Sequence, residues 1–113
     1  MAEILDKVDS ADMIVFASPV YWFSISAQLK AAIDRLYARA RKGFNIRYAA
    51  LLLDSASDGV YRSAIAAYED ICAYLRWENK GILTVPGMDA KGDMEHSEGV
   101  KKAYDLGINL ASE

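Results

Sequence analysis

Apolar residues gather in three short unbroken runs, "MIVFA" (13–17), "YAALLL" (48–53) and "GILTV" (81–85). None alternates apolar with polar. A strand with one wet face would alternate, so unbroken runs predict strands buried on both faces, as in a parallel sheet covered by helices. Around these runs the spacing becomes helical. After Ser26, which suits an N-cap, Leu29, Ala32, Ile33, Leu36 and Tyr37 share one face, opposite Lys30, Asp34 and Arg35. Gly43 in "RKGFN" is expected to cap the end of that helix. Tyr61, Ile65, Tyr68, Cys72 and Leu75 form a second stripe, with Ala64 and Ile71 beside it. Val100, Ala103, Tyr104 and Leu110 mark a further helix beginning near "HSEG". A helical fragment, roughly Ala2 to Val8, precedes the first run. The order α-β-α-β-α-β-α predicts right-handed crossovers on a three-stranded parallel sheet ordered 13–17, 48–53, 81–85.

That topology also predicts where a ligand binds, outside the carboxyl ends of the strands. Three loops of unusual composition leave that edge: "SPVYWFS", "DSASDG" and "PGMDAKGDMEH". Pro19 has no N–H and biases Ser18 toward extended backbone, so the first strand is expected to end there. Tyr21, Trp22 and Phe23 then offer flat apolar surface beside backbone N–H groups. Two uses suit them: stacking on a planar heteroaromatic ligand, or packing on a neighbouring helix or a partner chain. In the second loop Gly59 can take positive φ, and Ser57 or Asp58 suits an N-cap; the same hydroxyls and N–H groups could instead face a ligand.

Composition narrows these choices. A chain of 113 residues suffices for one domain, and a net charge of -3 argues against a nucleic-acid binder. No run approaches the ~18 apolar residues of a membrane span. The acidic, amphipathic start "MAEILDKVDSAD" is unlike a secretory signal. Cys72 is the single cysteine, which excludes an internal disulfide and fits a cytoplasmic location. It lies on an apolar helix face and is expected to be a buried, inert thiol. The third loop holds three acids and His96, but their spacing matches no metal-ligand pattern, and no metal site is expected. Arg35, Arg39, Arg41 and Lys42 crowd a helix C-terminus, where the dipole favours cations; solvated surface and a phosphate contact are the two readings. No side chain is assigned as an acid–base or nucleophilic catalyst.

The segment "ADMIVFASPVYWFSISAQLKAAIDRLY" resembles the flavodoxin-like NAD(P)H-dependent FMN reductases and iron–sulfur flavoproteins. Their motif is an apolar strand, Ser/Thr-Pro-x-Tyr, one or two aromatic or glycine positions, then Ser-x-x-Leu-Lys-x-x-x-Asp-Arg. Ser18, Pro19, Tyr21, Ser26, Leu29, Lys30, Asp34 and Arg35 match it. The resemblance continues more loosely through "LLLDSAS" to "KKAYDLG". It implies that FMN lies against Ser18, Pro19, Val20, Tyr21, Trp22, Phe23 and Ser24, with Ser55, Ala56, Ser57 and Asp58 approaching from the next strand. NAD(P)H would be the co-substrate, and a quinone, a flavin or another small molecule the electron acceptor. A single cysteine excludes a cluster of the iron–sulfur type within this chain.

The resemblance also implies a strand and a Ser/Gly-rich phosphate loop ahead of the first helix, and this sequence has neither. In the sheet order 2-1-3-4-5, the three runs correspond to strands 3, 4 and 5. Residues 1–113 are therefore expected to be the C-terminal part of a flavodoxin-like three-layer α/β sandwich, with weakened hold on the FMN phosphate. Strand 13–17 becomes an apolar edge, and a homo-oligomer, most simply a dimer, is expected to cover it or the adjacent face. Two functional readings stand: an FMN-dependent oxidoreductase chain completed by a partner or by sequence outside these residues, or a short non-catalytic paralogue acting as an interaction module. Neither reading involves a nucleic acid or a membrane.

Overall fold

The three apolar runs form the expected parallel ladder in a computed structural model that describes residues 2–111. The elements are α1 (Ala2–Ser10), β1 (Met13–Tyr21), β2 (Ser24–Ile25), α2 (Ala27–Arg39), β3 (Tyr48–Asp54), α3 (Arg62–Leu75), β4 (Glu78–Val85) and α4 (Gly99–Ala111). Single 3₁₀ turns occupy Ala40–Lys42 and Asp93–His96. The sheet order is β2-β1-β3-β4; β1, β3 and β4 are mutually parallel, and only the two-residue β2 runs antiparallel.

Side chains of β1 at Ile14, Phe16 and Val20 join the main core with Leu36 of α2 and Ala64, Tyr68 and Cys72 of α3. Val8 of α1 reaches the same core, and Asp9 pairs with Arg39 to tie α1 to α2. Phe16 meets Tyr68 edge-on at 6.3 Å between ring centres, and Trp77 closes the far end against Phe44 at 5.7 Å. Helix α4 packs on the opposite face. Gly99 sits where an added Cβ would lie 2.6 Å from Val85, and Leu106 covers Gly81, so both glycines allow close helix–sheet approach. The result is helix, sheet, helix: the expected layers, with one helix on one side and three on the other among the described residues.

Four expectations need correction. Pro19 does not end β1; it pairs in register with Asp54, and the strand runs on to Tyr21. A missing N–H is tolerated because, among the described residues, β1 has no neighbour on its other side at that point, so no ladder bond is lost. Neither Ser57 nor Asp58 caps α3; its N-cap is Tyr61, without a side-chain bond, and Asp58 instead accepts its neighbour's N–H at Gly59. Tyr37, expected on the buried stripe of α2, is exposed, as are Val100 and Tyr104 of α4. Strand β4 begins at Glu78 rather than Gly81, with a bulge opposite Ala49/Ala50. Asn79 holds that irregularity, its side-chain oxygen accepting from Gly81 N–H and the Tyr68 hydroxyl. Ser26 does cap α2, accepting from Leu29 N–H, and Gly43 closes the following turn at φ 73°.

Candidate functional site

The opening aromatic stretch is the tip of a tight β-hairpin. Val20 pairs with Ile25 and Tyr21 with Ser24, leaving Trp22 and Phe23 as the two turn residues at φ 49° and 70°. Positive φ at both central positions is the type I′ signature, normally met by Asn-Gly. Bulky side chains there cost about 1–2 kcal/mol each. What holds them is the framework beneath. The buried Ser18 hydroxyl donates to the Pro19 carbonyl at 2.7 Å and accepts from Ser26 N–H at 2.8 Å, bolting the strand to the start of α2. Trp22 is 92% exposed, and Tyr21 and Phe23 are each more than half exposed, so the hairpin presents three aromatic side chains to solvent.

The second loop is also internally braced. The buried Ser55 hydroxyl lies 2.5 Å from the Tyr61 hydroxyl and also donates to the Ser57 carbonyl. Ala56, Ser57 and Asp58 are exposed above it. Backbone bonds from Ser55 N–H to Val85, Gly87 N–H to Ala56 and Met88 N–H to Ser55 zip this loop to the one after β4. In that third loop Asp93 accepts N–H bonds from Asp89 and Ala90, which hold its carboxyl below the usual range. His96 is exposed on a 3₁₀ turn, and among the described residues no cluster of three or more His, Cys, Asp or Glu could hold a metal.

The predicted residues thus divide. Ser18 and Ser55 have committed hydroxyls, and Val20 packs into the core. Pro19 and Ser18 line an open cleft of about 490 Å³ whose floor is Ala17, Leu52 and Leu83 and whose wall is Val100 and Ala103 of α4. Tyr21, Trp22, Phe23 and Ser24 stand on the hairpin, and Ala56, Ser57 and Asp58 on the adjacent loop; none of these seven lines that cleft. The register Pro19↔Asp54 nonetheless places hairpin and loop at the carboxyl ends of neighbouring strands. Sequence reasoning missed the cleft. Its signal was present in α4, where apolar positions fill two adjacent stripes, more than one sheet contact needs.

A flavin fits this edge in part. Exposed rings can stack on an isoalloxazine, and the outer loop offers exposed hydroxyl and amide groups. Among the described residues the phosphate is not provided for. Ser55–Val60 is the serine- and glycine-rich turn leading from a strand into a helix, but Asp58 sets a carboxylate there and Ser55 is spent on Tyr61.

Residues 1–89 match the family model of NADPH-dependent FMN reductases. The iron–sulfur flavoprotein of Methanosarcina thermophila is 33% identical across 88% of this chain, and an FMN-dependent NADH:quinone oxidoreductase of Methylocella silvestris is 38% identical across 96% of it. The chain spans about half the length of the first, 48%, and 61% of the second. Among solved structures, the Trp repressor binding protein of Bacillus subtilis superposes with a TM-score of 0.75 at 21% identity, covering 86% of this chain and 68% of that one. The arrangement is flavodoxin-like.

Proposed function

We propose that this chain, which belongs to the NADPH-dependent FMN reductase family, is the ring-binding part of an FMN-dependent oxidoreductase that takes electrons from NAD(P)H and passes them to a quinone or another small acceptor. The observation that carries this reading is the strained hairpin tip. A fold does not hold Trp22 and Phe23 at positive φ, with their rings in water, for the sake of its own core. When bound, the flavin supplies the redox chemistry, and the protein supplies position and surroundings. Tyr21, Trp22 and Phe23 offer the stacking surface, Ser18 and Ser26 fix its angle to the sheet, and Ser57 and Asp58 flank it from the next strand. No side chain is needed as an acid–base catalyst.

Flavin-fluorescence titration tests this. Trp22→Ala should weaken flavin binding about tenfold, the upper range of one stacked ring pair. Riboflavin and FMN should bind this chain within about threefold of each other, since nothing among the described residues cradles a phosphate. Quenching that survives both Trp22→Ala and Tyr21→Ala would remove the hairpin from the site. A large FMN preference would mean that these residues do hold a phosphate.

A further inference from the structure

The face of the sheet opposite α4 carries a concavity that the flavin reading does not use. Helices α2 and α3 leave a pocket of about 440 Å³ between them, within the range of small-molecule sites. Three rings build its inner wall. Trp77 lies 5.7 Å from Phe44 and 6.5 Å from Phe16 between ring centres, and Trp77 and Phe16 are themselves buried. Two more rings, Tyr37 of α2 and Tyr74 of α3, form the outer rim, each 81% exposed.

The remaining lining is aliphatic, with the exception of one carboxylate. Asp70 lies one helical turn before Tyr74 and shares its flank of α3. It forms no salt bridge among the described residues. A neighbouring hollow toward β2 also holds charged side chains, but its Lys30 and Asp34 pair with each other. The pocket at Trp77 therefore sets an unpaired negative charge beside five aromatic side chains.

Both features select the same kind of ligand. The face of an aromatic ring is the negative part of its quadrupole and attracts a cation. Asp70 attracts one as well. An anion is repelled by both, and an uncharged apolar molecule gains nothing from the carboxylate. A compact, strongly hydrated cation loses too much water against such a wall, whereas an alkylated ammonium carries its charge beneath methyl groups. We propose that the pocket between α2 and α3 binds an organic cation, an alkylated ammonium on an apolar body. Its charge lies at Asp70, Tyr37 and Tyr74, and its body lies against Phe16, Phe44 and Trp77. The site is separate from the aromatic hairpin, and its occupancy requires no flavin.

The probe is benzyldimethyl(hydroxyethyl)ammonium, compared with its carbon isostere, in which a quaternary carbon replaces the nitrogen. Trp22→Phe leaves Trp77 as the one tryptophan of the chain, so fluorescence then reports on this pocket. The expected result is a saturable change in Trp77 emission, with the cation bound about tenfold more tightly than the isostere. Asp70→Asn should weaken the cation about fivefold and leave the isostere unchanged. Tyr74→Ala should weaken the cation more than the isostere. Both positions are exposed, so melting midpoints should stay within a few degrees of the parent. Val100→Glu, on the α4 face, should alter neither affinity. Equal binding of cation and isostere would reduce the pocket to a plain apolar hollow and overturn the proposal. An emission that does not saturate, or binding indifferent to both Asp70→Asn and Tyr74→Ala, would also overturn it. So would a dimer in light scattering that Tyr74→Lys disperses and the cation leaves intact, since a second copy would then be the occupant.

Discussion

Trp22 and Phe23 set local preference against presentation. Replacing them with the residues a type I′ turn favours, Trp22→Asn with Phe23→Gly, should stabilise the chain by about 1 kcal/mol in urea unfolding, because little native contact is lost and backbone strain is relieved. The same double variant should lose flavin affinity. Opposite signs in the two measurements would identify the strain as retained for binding rather than tolerated by chance. Cys72 behaves in the contrary way. Burial pushes its thiol up from the ordinary value, with Glu69 adding to the shift and the Tyr68 hydroxyl opposing it; Tyr68 itself is raised chiefly by burial. Native protein at pH 8 should therefore react with iodoacetamide only through opening, far more slowly than urea-unfolded protein. Both groups have folded values above their unfolded ones, so their contribution to stability is present at neutral pH. It is lost as pH rises past the unfolded thiol's 9.0. Unfolding midpoints should be flat up to that region and fall above it.

Among elements, α4 is the informative one, since among the described residues it is the one helix on its face of the sheet. Gly99→Ala would drive a methyl against both γ-carbons of the buried, branched Val85, which cannot swing away. Gly81→Ala meets only the far end of the Leu106 side chain, which can turn aside. Overpacking should thus cost about 1–3 kcal/mol at Gly99 and less at Gly81, measured by thermal unfolding. Equal effects would mean that α4 is not seated as described. At the start of α2, Ser18→Ala removes the acceptor of a buried N–H at Ser26, and a loss of about 1–3 kcal/mol is expected. Ser26→Ala removes only the side-chain cap on Leu29 N–H and should cost about 1 kcal/mol.

At the scale of the molecule, the chain exposes 7843 Å², against about 6,200 Å² for a compact protein of its mass, so less surface is buried on folding. Urea m-values follow the area exposed on unfolding, so this chain alone should show an m-value about one-seventh below that of a compact protein of its length. An m-value already at the compact norm would mean that the exposed surface is closed in solution by other means.

The sequence by itself determined the three parallel strands, their order and the amphipathic helices between them. Unbroken apolar runs and helical stripes record burial directly, and burial is what separates these elements. It also located the aromatic stretch at the carboxyl edge and supplied the motif that names the family. It did not determine that β1 runs through Pro19, because a proline's cost depends on whether a neighbouring strand needs its N–H. It did not reveal the Trp22–Phe23 hairpin, since those residues disfavour the turn they form and only the Ser18–Ser26 brace explains it. Nor did it separate the stripe of α4 that meets the sheet from Val100, Tyr104 and Ile108, each more than half exposed. Apolar spacing states that a face wants cover; only the tertiary structure decides which face has found it.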